Sequence, residues 1–200
     1  MRTLAIETAT EACSVALFEG GELLGARHEI LGRGHAERLV PIIAELPGKG
    51  RADAIRVSLG PGSFTGVRIG LATARALGIA WGAEVAGYPT LALVAAQAGG
   101  PVTVCMNGGH GEFFIQNFDE DGLAESELVS LPPGDAVAAV GRPLVAGNRA
   151  QEIVDLEGAG RRAQSLLPEA RAVNLLGIAH FTSSLTPLYG RGPDAKLPGG

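Results

Sequence analysis

The hydrophobic positions of this chain fall into two patterns that alternate along it. Thr3 to Ala9 opens an apolar run, Ala12 to Phe18 forms a second, and a turn at Glu19-Gly20-Gly21 leads into a third extended stretch, Glu22 to Leu31. Short apolar runs separated by glycine and polar clusters predict an antiparallel meander of three strands. The period then changes. Leu39, Ile42, Ile43 and Leu46 stand at i, i+3, i+4 and i+7, one face of a helix. Pro41 lies inside that segment and lacks a backbone donor, so the helix is expected to start or kink there. A buried-type strand from Ala54 to Leu59, a loop Gly60-Pro-Gly-Ser, a helix from Phe64 to Gly82, a strand from Glu84 to Tyr88 and a helix from Thr90 to Ala98 complete the first half.

Gly99-Gly100-Pro101 reads as a linker, after which the pattern begins again. Strands are predicted at Val102–Met106, Glu112–Phe118, Glu125–Leu131 and Pro143–Ala146, and a helix at Ala172–Phe181. The segment Thr186–Gly200 is rich in Pro and Gly and is expected to be irregular. A βββ-α-β-α order followed by a weaker copy predicts an α/β protein of two lobes, residues 1–100 and 101–200, each a mixed sheet with helices.

Composition narrows the chemistry. Hydrophobic residues make up 46% of the 200 and charged residues 18%, enough apolar material for a core. The formal charge is −5, and Lys49 and Lys196 are the only lysines. Such a chain lacks the basic footprint that carries non-specific nucleic-acid affinity, so contact with RNA is expected only through a partner. Cys13 and Cys105 have neither metal spacing nor a disulfide framework. Residues 85–111 carry no Asp, Glu, Lys or Arg, but Pro89, Gln97, Gly99-Gly100-Pro101 and Asn107 interrupt them well short of a span of about 20 residues. With no signal-type run before the first strand, a soluble cytoplasmic protein is the expectation.

No self-sufficient catalytic motif is present. Gly48-Lys49 is followed by Gly50 and so is not a phosphate loop, and the glycines at 60, 62 and 66 do not match the dinucleotide fingerprint. The strand–loop–helix unit at Gly60, Gly62 and Ser63 can still be read two ways. Its amides and the helix N-terminus can cradle an anion, or Ser63 or Thr65 can simply cap the helix. Glu7 and Thr8 end the first strand at a hairpin and make the same pair of readings, a weak phosphate contact or a local turn. In the long helix Gly66, Gly70, Ala74 and Gly78 form a stripe of small residues at i+4 spacing, which permits close approach of a helix or a sheet. Arg68, Ala72 and Arg75 lie on another face, a solvated pair of guanidinium groups or a docking rim. His35 has Leu39 where a second helical metal ligand would fall, so no metal site is expected.

The segments Leu4-Ala-Ile-Glu-Thr-Ala-Thr-Glu-Ala-Cys-Ser-Val-Ala-Leu, His35-Ala-Glu-Arg-Leu-Val-Pro-Ile-Ile, Gly60-Pro-Gly-Ser-Phe-Thr-Gly-Val-Arg-Ile-Gly-Leu-Ala and Gly87-Tyr-Pro-Thr-Leu resemble the bacterial TsaB family of tRNA threonylcarbamoyladenosine biosynthesis proteins. The likeness is dense over residues 1–98 and thins beyond Pro101 to Gly111-Glu112 and a tail Pro187-Leu-Tyr-x-Arg. It implies an actin-like, sugar-kinase-like two-lobe fold. It further implies a subunit without catalysis of its own, partnered with the catalytic paralogue TsaD and the ATPase TsaE, in a complex that places threonylcarbamoyl on N6 of the adenosine beside the anticodon. The tRNA would be met only through that complex, and a second copy would cover the docking surface when the chain is alone. The resemblance assigns no cofactor to this chain and leaves the junction of the complex open to ATP or ADP. The family's partner interface, built from first-lobe helices, carries over to His35, Leu39, Ile42, Arg68, Leu71, Ala72 and Arg75. Two departures stand out: Asn107-Gly108-Gly109-His110 replaces a common Asp-Ala-Arg, and Glu7 stands where Asp is more usual. The alternative is a stand-alone actin-like kinase or nucleotide hydrolase using Glu7, Thr8 and the Gly60–Ser63 amides.

Overall fold

The computed structural model describes residues 1–158 and 160–190. Arg191 and the rest of the irregular tail expected from the sequence lie outside the described residues. Strands β1 (Arg2–Glu7), β2 (Ala12–Glu19), β3 (Glu22–Ile30), β4 (Ala54–Ser58) and β5 (Glu84–Tyr88) build one sheet in the order β3-β2-β1-β4-β5. Strands β6 (Val102–Gly109), β7 (Glu112–Phe118), β8 (Val129–Leu131), β9 (Leu144–Ala146) and β10 (Arg162–Gln164) build a second in the order β10-β9-β6-β7-β8. The two orders are the same topology. In each sheet a three-stranded antiparallel meander is extended by two parallel strands beyond its first strand.

Alternation along the strands sorts the helices into layers. Leu4 and Ile6 of β1, Val15 and Leu17 of β2, and Ile55 and Val57 of β4 face α1 (His35–Ala44) and α2 (Phe64–Trp81). The opposite face of that sheet, with Ala5, Ala16 and Phe18, packs on α3 (Thr90–Ala98). The second sheet presents Val102, Val104, Met106 and Phe114 to the same α3 layer. Its outer face, with Cys105, Phe113, Ile115 and Val145, meets the short α4 (Pro133–Ala136) and α5 (Ala150–Glu157). The result is helix, sheet, helix, sheet, helix, with the central core shared by both sheets.

Three elements depart from the expectations. Pro41 neither starts nor ends α1, which begins at His35 behind the left-handed Gly34 and runs through it. The expected helix at Ala172–Phe181 is instead two 3₁₀ turns, Ala170–Leu175 and Ile178–His180. Ala170, Val173 and Leu176 are the buried positions there. Their spacing of three is the period of a 3₁₀ turn rather than an α-helix. The expected strand at Glu125–Leu131 contracts to β8, preceded by a lone bridge from Ala124 to Phe118. After the second 3₁₀ turn the chain returns to the first sheet. Thr182 bridges Gly87 on the free edge of β5, and Leu188 donates its amide to the Leu59 carbonyl at 2.8 Å.

Candidate functional site

Helix α2 is governed by its small residues. A Cβ at Gly66 would overlap the Thr8 carbonyl oxygen, one at Gly70 the Thr8 hydroxyl, and one at Gly78 the Val85 side chain. The inner stripe therefore lets α2 lie directly on β1 and β5, so the close approach is to the sheet. Ser63 caps the helix, its Oγ accepting from the Gly66 amide at 3.2 Å. With the inner stripe settled, α2 turns Phe64, Arg68, Ala72, Arg75, Ala76, Ile79 and Ala80 outward. Ile79 is 87% exposed and Phe64 56%. On α1, which packs beside α2, Ala36, Val40, Pro41 and Ala44 are also exposed, Val40 at 54%.

This corrects the expected docking residues. Leu39 and Ile42 are fully buried and Leu71 is 2% exposed, all three in the core between the helices and the first sheet. His35 is buried as well, with Nε2 3.1 Å from the Ala12 carbonyl. A side chain without accessible area has nothing left for a partner. The apolar helical face seen in the sequence is the inward one, and Arg68, Ala72 and Arg75 are the expected residues that remain outside. The outward signal was present as a second i+4 stripe, Ala72-Ala76-Ala80, one position along from Ile79.

Of the expected phosphate residues, Glu7 and Thr8 are drawn inward. Thr8 is 1% exposed and its hydroxyl donates to the Gly66 carbonyl at 2.8 Å. The Ser63 amide donates to the Ala9 carbonyl at 2.7 Å and the Gly60 amide to Ser58 Oγ at 3.2 Å, so neither amide is free for an anion. Gly62 is pinned against the Ala9 carbonyl, which leaves no room for a Cβ. Glu7 is fully buried; Oε1 accepts from the Ala9 amide at 2.8 Å while Oε2 has no hydrogen-bond partner. Burial pushes its carboxyl up to about 7, with the Ala9 amide and the nearby Ser58 and Tyr88 hydroxyls pulling the other way. These bonds stitch the hairpin to the loop.

Between the lobes lies a cleft of about 370 Å³. The first lobe contributes Thr10, Glu11 and the Pro61–Phe64 loop, the second Met106, the Asn107–His110 turn and Asn148. Asn148 Nδ2 donates to both Glu11 carboxylate oxygens, at 3.2 and 3.3 Å, a direct link between lobes. Sequence reasoning missed Glu11 and Asn148 because they are 137 positions apart. Gly62 and Ser63 border this cleft, as does the departing Asn107–His110 turn; Glu7 and Thr8 do not. Among the described residues no group of three or more His, Cys, Asp or Glu is placed to hold a metal. Cys13 and Cys105 are buried thiols, raised by desolvation to about 11 and about 12.

Residues 25–182 match the family model described as TsaD, tRNA N6-adenosine threonylcarbamoyltransferase. The tRNA threonylcarbamoyladenosine biosynthesis protein TsaB of Escherichia coli is 35% identical over 167 residues, 76% of this chain and 68% of that protein. The chain belongs to the TsaB family. An uncharacterised Mycobacterium tuberculosis protein is 33% identical over 96% of this chain and 93% of its own length. The structure of YeaZ from Pseudomonas aeruginosa superposes with a TM-score of 0.79 at 28% identity, covering 94% of this chain and 99% of that one. The ethanolamine utilization protein EutJ of Carboxydothermus hydrogenoformans, at 11% identity and a TM-score of 0.54 over 88% of this chain and 90% of that one, shares the fold alone. The fold is thus the actin-like, sugar-kinase-like arrangement of two mixed sheets with helices, as the family resemblance implied. No helix among the described residues is long and apolar enough to cross a membrane.

Proposed function

We propose that this chain is a docking and activating subunit, without catalysis of its own, of the machinery that adds threonylcarbamoyl to N6 of adenosine in tRNA. Membership of the TsaB family carries the reading, and the outward face of α1 and α2 gives it a physical basis. Val40 on α1 and Ile79 on α2 are exposed apolar side chains flanked by small residues, and Arg68 and Arg75 stand exposed on α2. Small residues allow a partner helix to approach closely, and arginine is favoured where helices dock. The catalytic paralogue TsaD is the partner of this reading, TsaE joins the assembled pair, and a second copy covers the face when the chain is alone. A formal charge of −5 leaves tRNA binding to the complex.

The experiment is size-exclusion chromatography with light scattering, on the chain alone and mixed with TsaD from the same organism. A mixed complex that replaces any self-dimer, and that is lost on Ile79→Glu without a fall in melting temperature, is the expected result. Two unmixed species under all conditions would overturn it. The inter-lobe cleft favours one other reading, nucleotide binding by the isolated chain. Calorimetric titration with ATP and Mg²⁺ separates the two: micromolar binding with turnover would replace the docking role by the stand-alone kinase or hydrolase.

A further inference from the structure

Residues 182–190 form a strap that leaves β5, passes the Gly60 loop and ends over the first turns of α2. Its root is fixed by the Thr182–Gly87 bridge and by Leu188 on the Leu59 carbonyl. Between and just beyond these anchors it touches the two arginines of α2. The Leu185 carbonyl accepts from Arg75 Nη2 at 2.8 Å, and the Tyr189 hydroxyl accepts from Arg68 Nη2 at 3.2 Å. The Arg68 guanidinium also lies 3.5 Å from the centre of the Phe64 ring, and that ring sits 6.0 Å from the ring of Tyr189.

Both acceptors are neutral. Eight arginines elsewhere among the described residues face a glutamate, Arg38 with Glu29 and Arg2 with Glu19 among them. Among the described residues Arg68 and Arg75 have no carboxylate partner, and α2 itself contains no Asp or Glu. Each guanidinium keeps its full charge and most of its five donors. The two are seven residues apart on one helix, about 10 Å along its axis. A flexible arginine loses conformational freedom when it binds, and here part of that loss is already taken in the free chain.

We propose that the strap is a positioning element: it holds Arg68 and Arg75 ready for two carboxylates on the docking partner, about two helical turns apart. This rests on the docking reading above and names the chemistry of the partner's surface. A second copy of this chain laid α2 against α2 would bring arginine to arginine with no acid on either helix. The strap therefore favours the catalytic paralogue over self-association.

The test measures the dissociation constant of the full chain for TsaD from the same organism at low and moderate salt. Tyr189→Phe keeps the ring and removes the hydroxyl; Tyr189→Ala removes both. The expected weakening is about threefold for the first and about tenfold for the second at low salt, shrinking as salt rises. Tyr189→Phe added to Arg68→Gln should cost nothing more, since the hydroxyl acts only through that arginine. Binding unchanged or tightened in both Tyr189 variants, with Ile79→Glu still abolishing it, would overturn the strap and leave docking intact. If Ile79→Glu also binds like the parent chain, the docking reading falls with it. Matching melting temperatures for Tyr189→Phe and the parent keep a folding defect from imitating the effect.

Discussion

Replacing Glu7 by Gln gives the sharpest check on the reading that the first hairpin is a buried internal joint. Glu7 is fully buried with one carboxylate oxygen unpaired, and its carboxyl is raised from 4.5 to about 7 by burial. In the unfolded chain the same group ionises near its ordinary value. The folded state therefore binds the proton more tightly, and this site's contribution to stability is complete below about pH 4.5. It is lost as pH rises towards about 7, at roughly 1.4 kcal/mol per unit, and is flat above. Across that window the loss amounts to about 3 kcal/mol. Glutamine keeps the acceptor for the Ala9 amide and cannot ionise, so the variant lacks this term. Urea denaturation of both proteins at pH 5, 6, 7 and 8 should show the variant gaining on the parent with each step and levelling off near pH 8. Glutamates such as Glu29 and Glu45, held low by Arg38, titrate identically in both proteins and cancel in the difference. A constant offset added on top of that pH-dependent change is compatible with a packing cost of the amide. A difference that does not change with pH would refute the buried, proton-holding carboxyl.

The other expectations concern the same lobe. Gly66→Ala drives a Cβ into the Thr8 carbonyl and should destabilise the chain by about 3 kcal/mol, read as a drop in the urea midpoint. Leu71→Glu should yield unfolded or insoluble protein by circular dichroism, because Leu71 is in the core, whereas Ile79→Glu should melt like the parent. Ser63→Ala removes the α2 cap and should lower stability by about 1 kcal/mol. Cys13 and Cys105, buried and with raised pKa values, should react with a thiol reagent at pH 8 only after denaturant is added.

Most of the first lobe was legible because its signals are local. The apolar runs of β1 and β2, the capped start of α2 at Ser63 and the glycine stripe each sit within a few residues of the structure they dictate. The second lobe was read less completely where its elements are short. β10 has three residues, too few for a period to show, and α5 between β9 and β10 carries only Ala150 and Ile153 inward. The docking face was misplaced for a different reason. A helix on a sheet has an apolar side in the sequence whether or not a partner exists, and that side is claimed first by the core. Leu39, Ile42 and Leu71 mark the inward side; an outward surface is visible only as what is apolar after the inward stripe has been subtracted.

That subtraction explains how one helix serves two surfaces. Glycine at 66, 70 and 78 sinks α2 onto the sheet until its backbone meets Thr8 and Val85, so large side chains can stand on the other side without thickening the lobe. The inner glycines raise the cost of the helix by about 1 kcal/mol each relative to alanine, and close contact with the sheet offsets it. The same sinking brings the Gly60 loop against the hairpin; there the Leu188 carbonyl lies near Gly60, and the Leu188 amide, donating to the Leu59 carbonyl, holds the returning strap. A bulkier inner stripe would lift α2 and separate Arg68 from Tyr189 and Arg75 from Leu185. The inner glycines and the outer arginines are thus parts of one device, and a substitution on the buried stripe that the fold survives should still weaken docking.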